Sequence, residues 1–125
     1  MSGPTVIVVG VGTMGTAACA HLAMRGANAI GLERFTIGHT HGSHGGQSRA
    51  YRLAYYEHPD YVPLLKRARE LWLELNATDG REIFHAVGGV YLAQQEADFV
   101  RLSYEAARSH DLEVEVLDAP YIRSR

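Results

Sequence analysis

Apolar residues run without alternation from Thr5 to Val9 (TVIVV), the pattern of a strand buried on both faces of a parallel sheet. Glycines end the run at once. From Thr13 to Arg25 the residues Met14, Ala17, Ala18, His21 and Leu22 recur at helical spacing, and Gly26 stands where a helix-terminating glycine belongs. A second strand, Ala27–Glu33, completes a β-α-β unit. From Phe35 to Tyr56 no period is sustained, and the stretch from Gly38 to Gly46 holds four glycines and three histidines. This predicts a long loop, and loops of that length in compact domains are usually functional.

Over Tyr61–Leu75 the positions Leu64, Leu65, Ala68, Leu71, Trp72 and Leu75 share one helical face, with Asp60 as N-cap. Ile83–Val87 and Gly89–Ala93 read as two short strands around Gly88-Gly89, or as one bent strand. Gln95–His110 predicts a second amphipathic helix with Phe99, Leu102, Ala106 and Ala107 inward, and Glu113–Leu117 a half-buried strand. A parallel sheet of two strands cannot cover itself. The fold class expected is therefore α/β, the beginning of a Rossmann-like domain in a chain that reads as incomplete.

Composition narrows the function classes. The 125 residues carry 12 Lys plus Arg against 14 Asp plus Glu, a net charge of −2, and 46% are hydrophobic. Such a chain is globular in composition, and with no basic cluster it offers no footprint for nucleic acid or an anionic membrane. The single cysteine, Cys19, excludes an internal disulfide framework. The first 24 residues lack Lys, Arg, Asp and Glu, and glycines at 10, 12 and 15 break their apolar character. That does not describe a signal peptide or a membrane span.

The chemistry begins at Gly10-Val11-Gly12-Thr13-Met14-Gly15, set between a strand and a helix, with Glu33 closing the second strand. In a dinucleotide fingerprint the first glycine permits the tight turn, the second admits the pyrophosphate, and the third lets helix and strand pack closely. The helix N-terminus then meets the pyrophosphate, and the acid accepts hydrogen bonds from the ribose. An acid at that place disfavours NADP. A nicotinamide domain would pass quickly into another crossover helix after Glu33, so the Gly/His loop favours a flavin.

At this loop the chain resembles the monomeric sarcosine oxidase family of flavoproteins, which includes N-methyltryptophan oxidase and pipecolate oxidase. The resemblance runs through VIVVGVGTMG at 6–15, HTHGSHGGQSRAYR at 39–52, the YVPL and ELW of 61–72, and GGVYL at 88–92. It covers most of the chain, which is similar to the N-terminal third of a family member. It implies covalent FAD, a two-domain fold, and oxidation of a secondary or N-methyl amino acid to an imine. O2 would reoxidise the flavin to give hydrogen peroxide.

Carried over by position, the resemblance implies that Gly10, Gly12, Thr13, Met14, Gly15, Glu33 and Arg34 hold the ADP half. Gly42, Ser43, His44, Ser48 and Arg49 would lie near the flavin ring, with Arg49 catalytic. Arg52 would pair with the substrate carboxylate, and Tyr55 would line the substrate pocket. A guanidinium suits a carboxylate because it donates two parallel N–H···O bonds. Residues 1–75 would form the FAD-binding unit, its loop and the following helix, and 76–125 the start of an α+β substrate domain. The parent protein would be a monomer acting on a small amine and O2, with no nucleic-acid or membrane partner. Its expected location is cytoplasmic, a peroxisomal address remaining open.

Departures and alternatives qualify these expectations. Several family members carry a second histidine where this chain has Gly45. The flavin-anchoring cysteine lies in the distal part, and Cys19 reads instead as a small side chain packed on the sheet. His39, His41 and His44 could suggest a metal, but no neighbouring Cys or acid completes a shell in sequence, so no metal is expected. His39 and His41 read as polar loop filler. Tyr55, three residues from Arg52, would fall on the opposite face of an extended segment. Lys66, Arg67 and Arg69 read as a solvated helix face. A truncated NAD-dependent dehydrogenase and a non-catalytic remnant are the competing readings. The chain alone is expected to be inactive.

Overall fold

The computed structural model describes residues 3–94 and 97–125. Two compact units, Met1–Ala50 and Tyr51–Arg125, are each described by themselves.

In the first unit, strand β1 (Thr5–Val9), helix α1 (Thr13–Met24) and strand β2 (Asn28–Leu32) form the β-α-β motif. The strands pair in parallel, from Thr5 opposite Asn28 to Val9 opposite Leu32, and Gly10 N–H extends the ladder to the Leu32 carbonyl at 2.8 Å. One sheet face packs on α1. There a Cβ on Gly15 would lie 3.4 Å from a Val8 methyl, and one on Gly31 would lie 3.5 Å from Cys19 Sγ. Cys19 is thus a half-buried packing residue against the sheet. The opposite face carries Ile7, Val9, Ile30 and Leu32, and Val9 is 83% exposed. TVIVV is therefore covered on one face in this chain, where its unbroken apolar run suggests two.

Helix α1 ends as the sequence suggests. Gly26 adopts φ +83°, and Ala27 N–H reaches back to the Leu22 carbonyl at 3.0 Å. A left-handed glycine lets the chain satisfy the last carbonyls before turning into β2.

The second unit holds helices α2 (Tyr61–Asp79), α3 (Asp98–Ser109) and α4 (Ala119–Arg123). Asp60 sits at the N-cap of α2, but its side chain makes no capping bond. Its backbone N–H goes instead to His58 Nδ1 at 3.2 Å. Val62 is fully buried while Leu64 is 68% exposed, so the packed stripe is rotated from the expected one. Lys66 does not simply face solvent, since its ammonium donates to the His110 carbonyl at the end of α3 (2.8 Å). In α3 the buried residues are Ser103, Ala106 and Ala107. The expected start of that helix, Gln95, lies outside the described residues, as does Glu96.

No strand forms at 83–87, 89–93 or 113–117. Side-chain contacts replace the ladder at the first of these. Asn76 Oδ1 accepts the N–H groups of Ile83 (2.9 Å) and Phe84 (3.0 Å), and Asn76 Nδ2 donates to the Phe84 carbonyl at 2.8 Å. A strand-like pattern without a neighbouring strand must place its backbone bonds elsewhere. Phe84 packs edge-on to Tyr51 and stacks on Trp72. Helix α4 was not expected. Asp118 caps it through Tyr121 N–H at 2.8 Å, with Pro120 in its first turn, and the Asp-Ala-Pro run is the signal that could have found it.

Candidate dinucleotide and substrate site

The fingerprint turn follows from its glycines. Gly10 takes φ +89°, a region L-residues avoid. A Cβ on Gly15 would sit 1.8 Å from the Gly10 carbonyl oxygen, so only glycine allows α1 this close to the turn. At Gly12 nothing lies within 4 Å of where a Cβ would be. The first intrahelical bond runs from Thr16 N–H to Gly12 O at 2.8 Å, so the N–H groups of Thr13, Met14 and Gly15 have no acceptor within the helix. Open space beside unpaired donors at a positive helix end fits an anionic pyrophosphate.

Glu33 closes the turn from the other strand. Its Oε2 accepts the Val11 N–H at 2.7 Å, and its Oε1 accepts those of Arg34 (2.7 Å) and Phe35 (3.2 Å). These donors, Val11 first, hold the carboxyl below its ordinary value of 4.5. His39 Nε2 faces Oε1 at 3.4 Å. An acid therefore does stand beside this histidine, contrary to the sequence expectation. The two stand in contact at that distance, and among the described residues no group of three or more His, Cys, Asp or Glu is arranged to hold a metal. His39 and His41 are not loop filler either, because their rings pack on each other and on Phe35. Arg34 sends its guanidinium over the Phe35 ring at 5.4 Å.

Further along the loop, Ser43 Oγ lies 3.2 Å from His44 Nδ1. The Gly45 N–H bonds to the Gly42 carbonyl at 3.0 Å, and a Cβ on Gly45 would meet the Thr40 carbonyl oxygen at 2.3 Å. The loop as folded leaves no room for a side chain at position 45. Gly46 has φ +120°, and the Arg49 guanidinium folds over it, within 2.8 Å of where a Cβ would be. Arg49 Nη1 also donates to the Ser48 carbonyl at 2.6 Å. Gly42 to Arg49 thus form one locally bonded segment.

Arg52 and Tyr55 belong to the second unit. The Arg52 guanidinium stands over the Tyr55 ring at 5.2 Å, and Tyr55 packs against Tyr61, centroids 5.3 Å apart. The two predicted substrate residues are in contact, where strict alternation would separate them. The segment turns before α2 and is not an extended strand. Tyr61, at the start of α2, is the neighbour that the sequence reading of the pocket did not single out.

A strand, glycine turn and helix, closed by an acid on the next strand, define a dinucleotide-binding unit. The chain belongs to the FAD dependent oxidoreductase (DAO) family, whose description matches residues 5–125. It is 46% identical over 120 residues to monomeric sarcosine oxidase of Streptomyces avermitilis, covering 96% of this chain and 31% of that protein. Monomeric sarcosine oxidase of Arthrobacter sp. is 42% identical over 121 residues, again 96% and 31%. N-methyl-L-tryptophan oxidase of Yersinia pestis is 36% identical over 120 residues, 96% and 32%. The chain thus spans about a third of the length of these curated relatives. Among its described residues no helix is long and apolar enough to cross a membrane.

Proposed function

We propose that the full-length protein oxidises a secondary or N-methyl amino acid to an imine. The carrying observation is the glycine turn clamped by Glu33, in a chain whose relatives are named for oxidation of sarcosine and N-methyl-L-tryptophan. FAD, when bound, would supply an acceptor for the two electrons and two protons lost as the substrate CH–NH unit becomes C=N, with O2 taking them up as hydrogen peroxide.

The residues of this chain bind and orient. Gly10, Gly12, Thr13, Met14 and Gly15 cradle the pyrophosphate, and Glu33 and Arg34 hold the ribose end. Gly42, Ser43, His44 and Ser48 form the loop beside the flavin ring. Arg49 supplies a fixed cation that favours negative charge developing there. Arg52 grips the substrate carboxylate, and Tyr55 lines the pocket beneath it. Residues 1–75 belong to the FAD-binding unit and 76–125 begin the substrate domain. The full-length protein works as a cytoplasmic monomer.

The test is to assay the purified full-length protein for bound flavin and for peroxide release with a panel of secondary and N-methyl amino acids. Flavin and peroxide together are expected. A colourless protein with saturable NADH binding would contradict the proposal in favour of a nicotinamide enzyme.

A further inference from the structure

His39 is fixed from three sides. Its Nδ1 accepts the His41 backbone N–H at 3.1 Å, its ring meets Phe35 edge-on at 5.0 Å, and the His41 ring lies 5.4 Å away. Its own N–H turns back to the Thr36 carbonyl at 3.1 Å. Because Nδ1 is occupied as an acceptor, the proton of the neutral ring resides on Nε2. That nitrogen faces Glu33 Oε1 at 3.4 Å, and the two side chains are only 14% and 10% exposed.

The carboxylate has about four lone-pair sites. Among the described residues, Oε1 faces Arg34 N–H, Phe35 N–H and His39 Nε2, whereas Oε2 accepts Val11 N–H alone. The loop side is saturated, so the vacancy for a hydroxyl is on Oε2, beside the fingerprint turn. The His39 ring adds a contact on the Oε1 side to the three backbone N–H groups that hold the carboxylate, and so restrains it further with Oε2 toward Val11.

We propose that His39 is a positioning residue that locks Glu33 with Oε2 toward the glycine turn, thereby coupling the histidine loop to cofactor capture. This rests on the FAD reading above.

The experiment compares His39→Phe, which keeps a ring but no donor, with His39→Gln, which returns an N–H near the Nε2 position, in the full-length protein. The readouts are the FAD concentration that half-saturates the flavin-free protein and the 15N imidazole signals of His39 in the unaltered protein. His39→Phe is expected to weaken FAD binding about threefold, the scale of a modest polar contact. His39→Gln recovers most of the loss, and the 15N signals report the Nε2–H tautomer. Unchanged binding in His39→Phe, no recovery in His39→Gln, or an Nδ1–H tautomer would each overturn the proposal. Gly12→Val separates it from the reading beneath. If that variant binds FAD normally, the fingerprint assignment fails, while the tautomer still decides the His39–Glu33 lock.

Discussion

Glu33 Oε2 accepts the backbone N–H of Val11 at 2.7 Å, so the acid that ends β2 clamps the turn that follows β1. The bond joins positions 22 apart in sequence, just beyond the ends of the two paired strands. A charged acceptor on a backbone donor is among the stronger protein hydrogen bonds.

Replacing Glu33 by Gln removes that charge and gives a pH signature. The native carboxyl is held below its ordinary value of 4.5, chiefly by Val11 N–H. A depressed folded value means the stabilisation is complete above the ordinary value and is lost as pH falls through the lowered one. Urea unfolding of the full-length protein and of Glu33→Gln should therefore differ at neutral pH and converge under acid conditions. A gap independent of pH would contradict this.

Gly12 and Gly15 should separate binding from folding. Gly15→Ala places a Cβ 1.8 Å from the Gly10 carbonyl oxygen and is expected to cost about 1–3 kcal/mol in denaturant unfolding. Gly12→Ala meets no protein atom, so stability stays near native while FAD occupancy falls. Equal effects on both properties in both variants would contradict the assigned roles.

Arg52→Ala should raise KM for the amino acid by the equivalent of about 2–5 kcal/mol, with flavin content intact. Tyr55→Phe keeps the ring under the guanidinium and should be mild, whereas Tyr55→Leu removes it and should cost about 0.5–1 kcal/mol in kcat/KM. Loss of flavin in Arg52→Ala would move Arg52 from substrate to cofactor.

Asn76→Ala should destabilise the second unit by about 1–3 kcal/mol, because it leaves Ile83 N–H, Phe84 N–H and the Phe84 carbonyl without their shared partner. Amide exchange at Ile83 and Phe84 should accelerate most.

The β-α-β unit was legible because its determinants are local: an unbroken apolar strand, glycines at the turn, and Gly26 ending α1. Glu33 was legible by its place after β2, but its bond to Val11 is a contact across the sheet and has no sequence signal. The same holds for His39, whose role depends on the loop folding back on Glu33. The segments at 83–87, 89–93 and 113–117 carry strand-like patterns but have no partner strand among the described residues. Alternation describes a half-covered surface and does not supply the hydrogen bonds a strand needs. Alternation would separate Arg52 from Tyr55 only in an extended segment; the chain turns there, and the Arg52 guanidinium meets the Tyr55 ring.

The central claim is that these residues hold a flavin that a secondary or N-methyl amino acid reduces. The most direct measurement is the visible spectrum of the full-length protein without oxygen, before and after adding sarcosine or N-methyl-L-tryptophan and then air. The account predicts that the flavin absorption bleaches with one of these amines and returns in air as hydrogen peroxide forms. A flavin that stays oxidised with every such amine, or a protein that carries none, would contradict it.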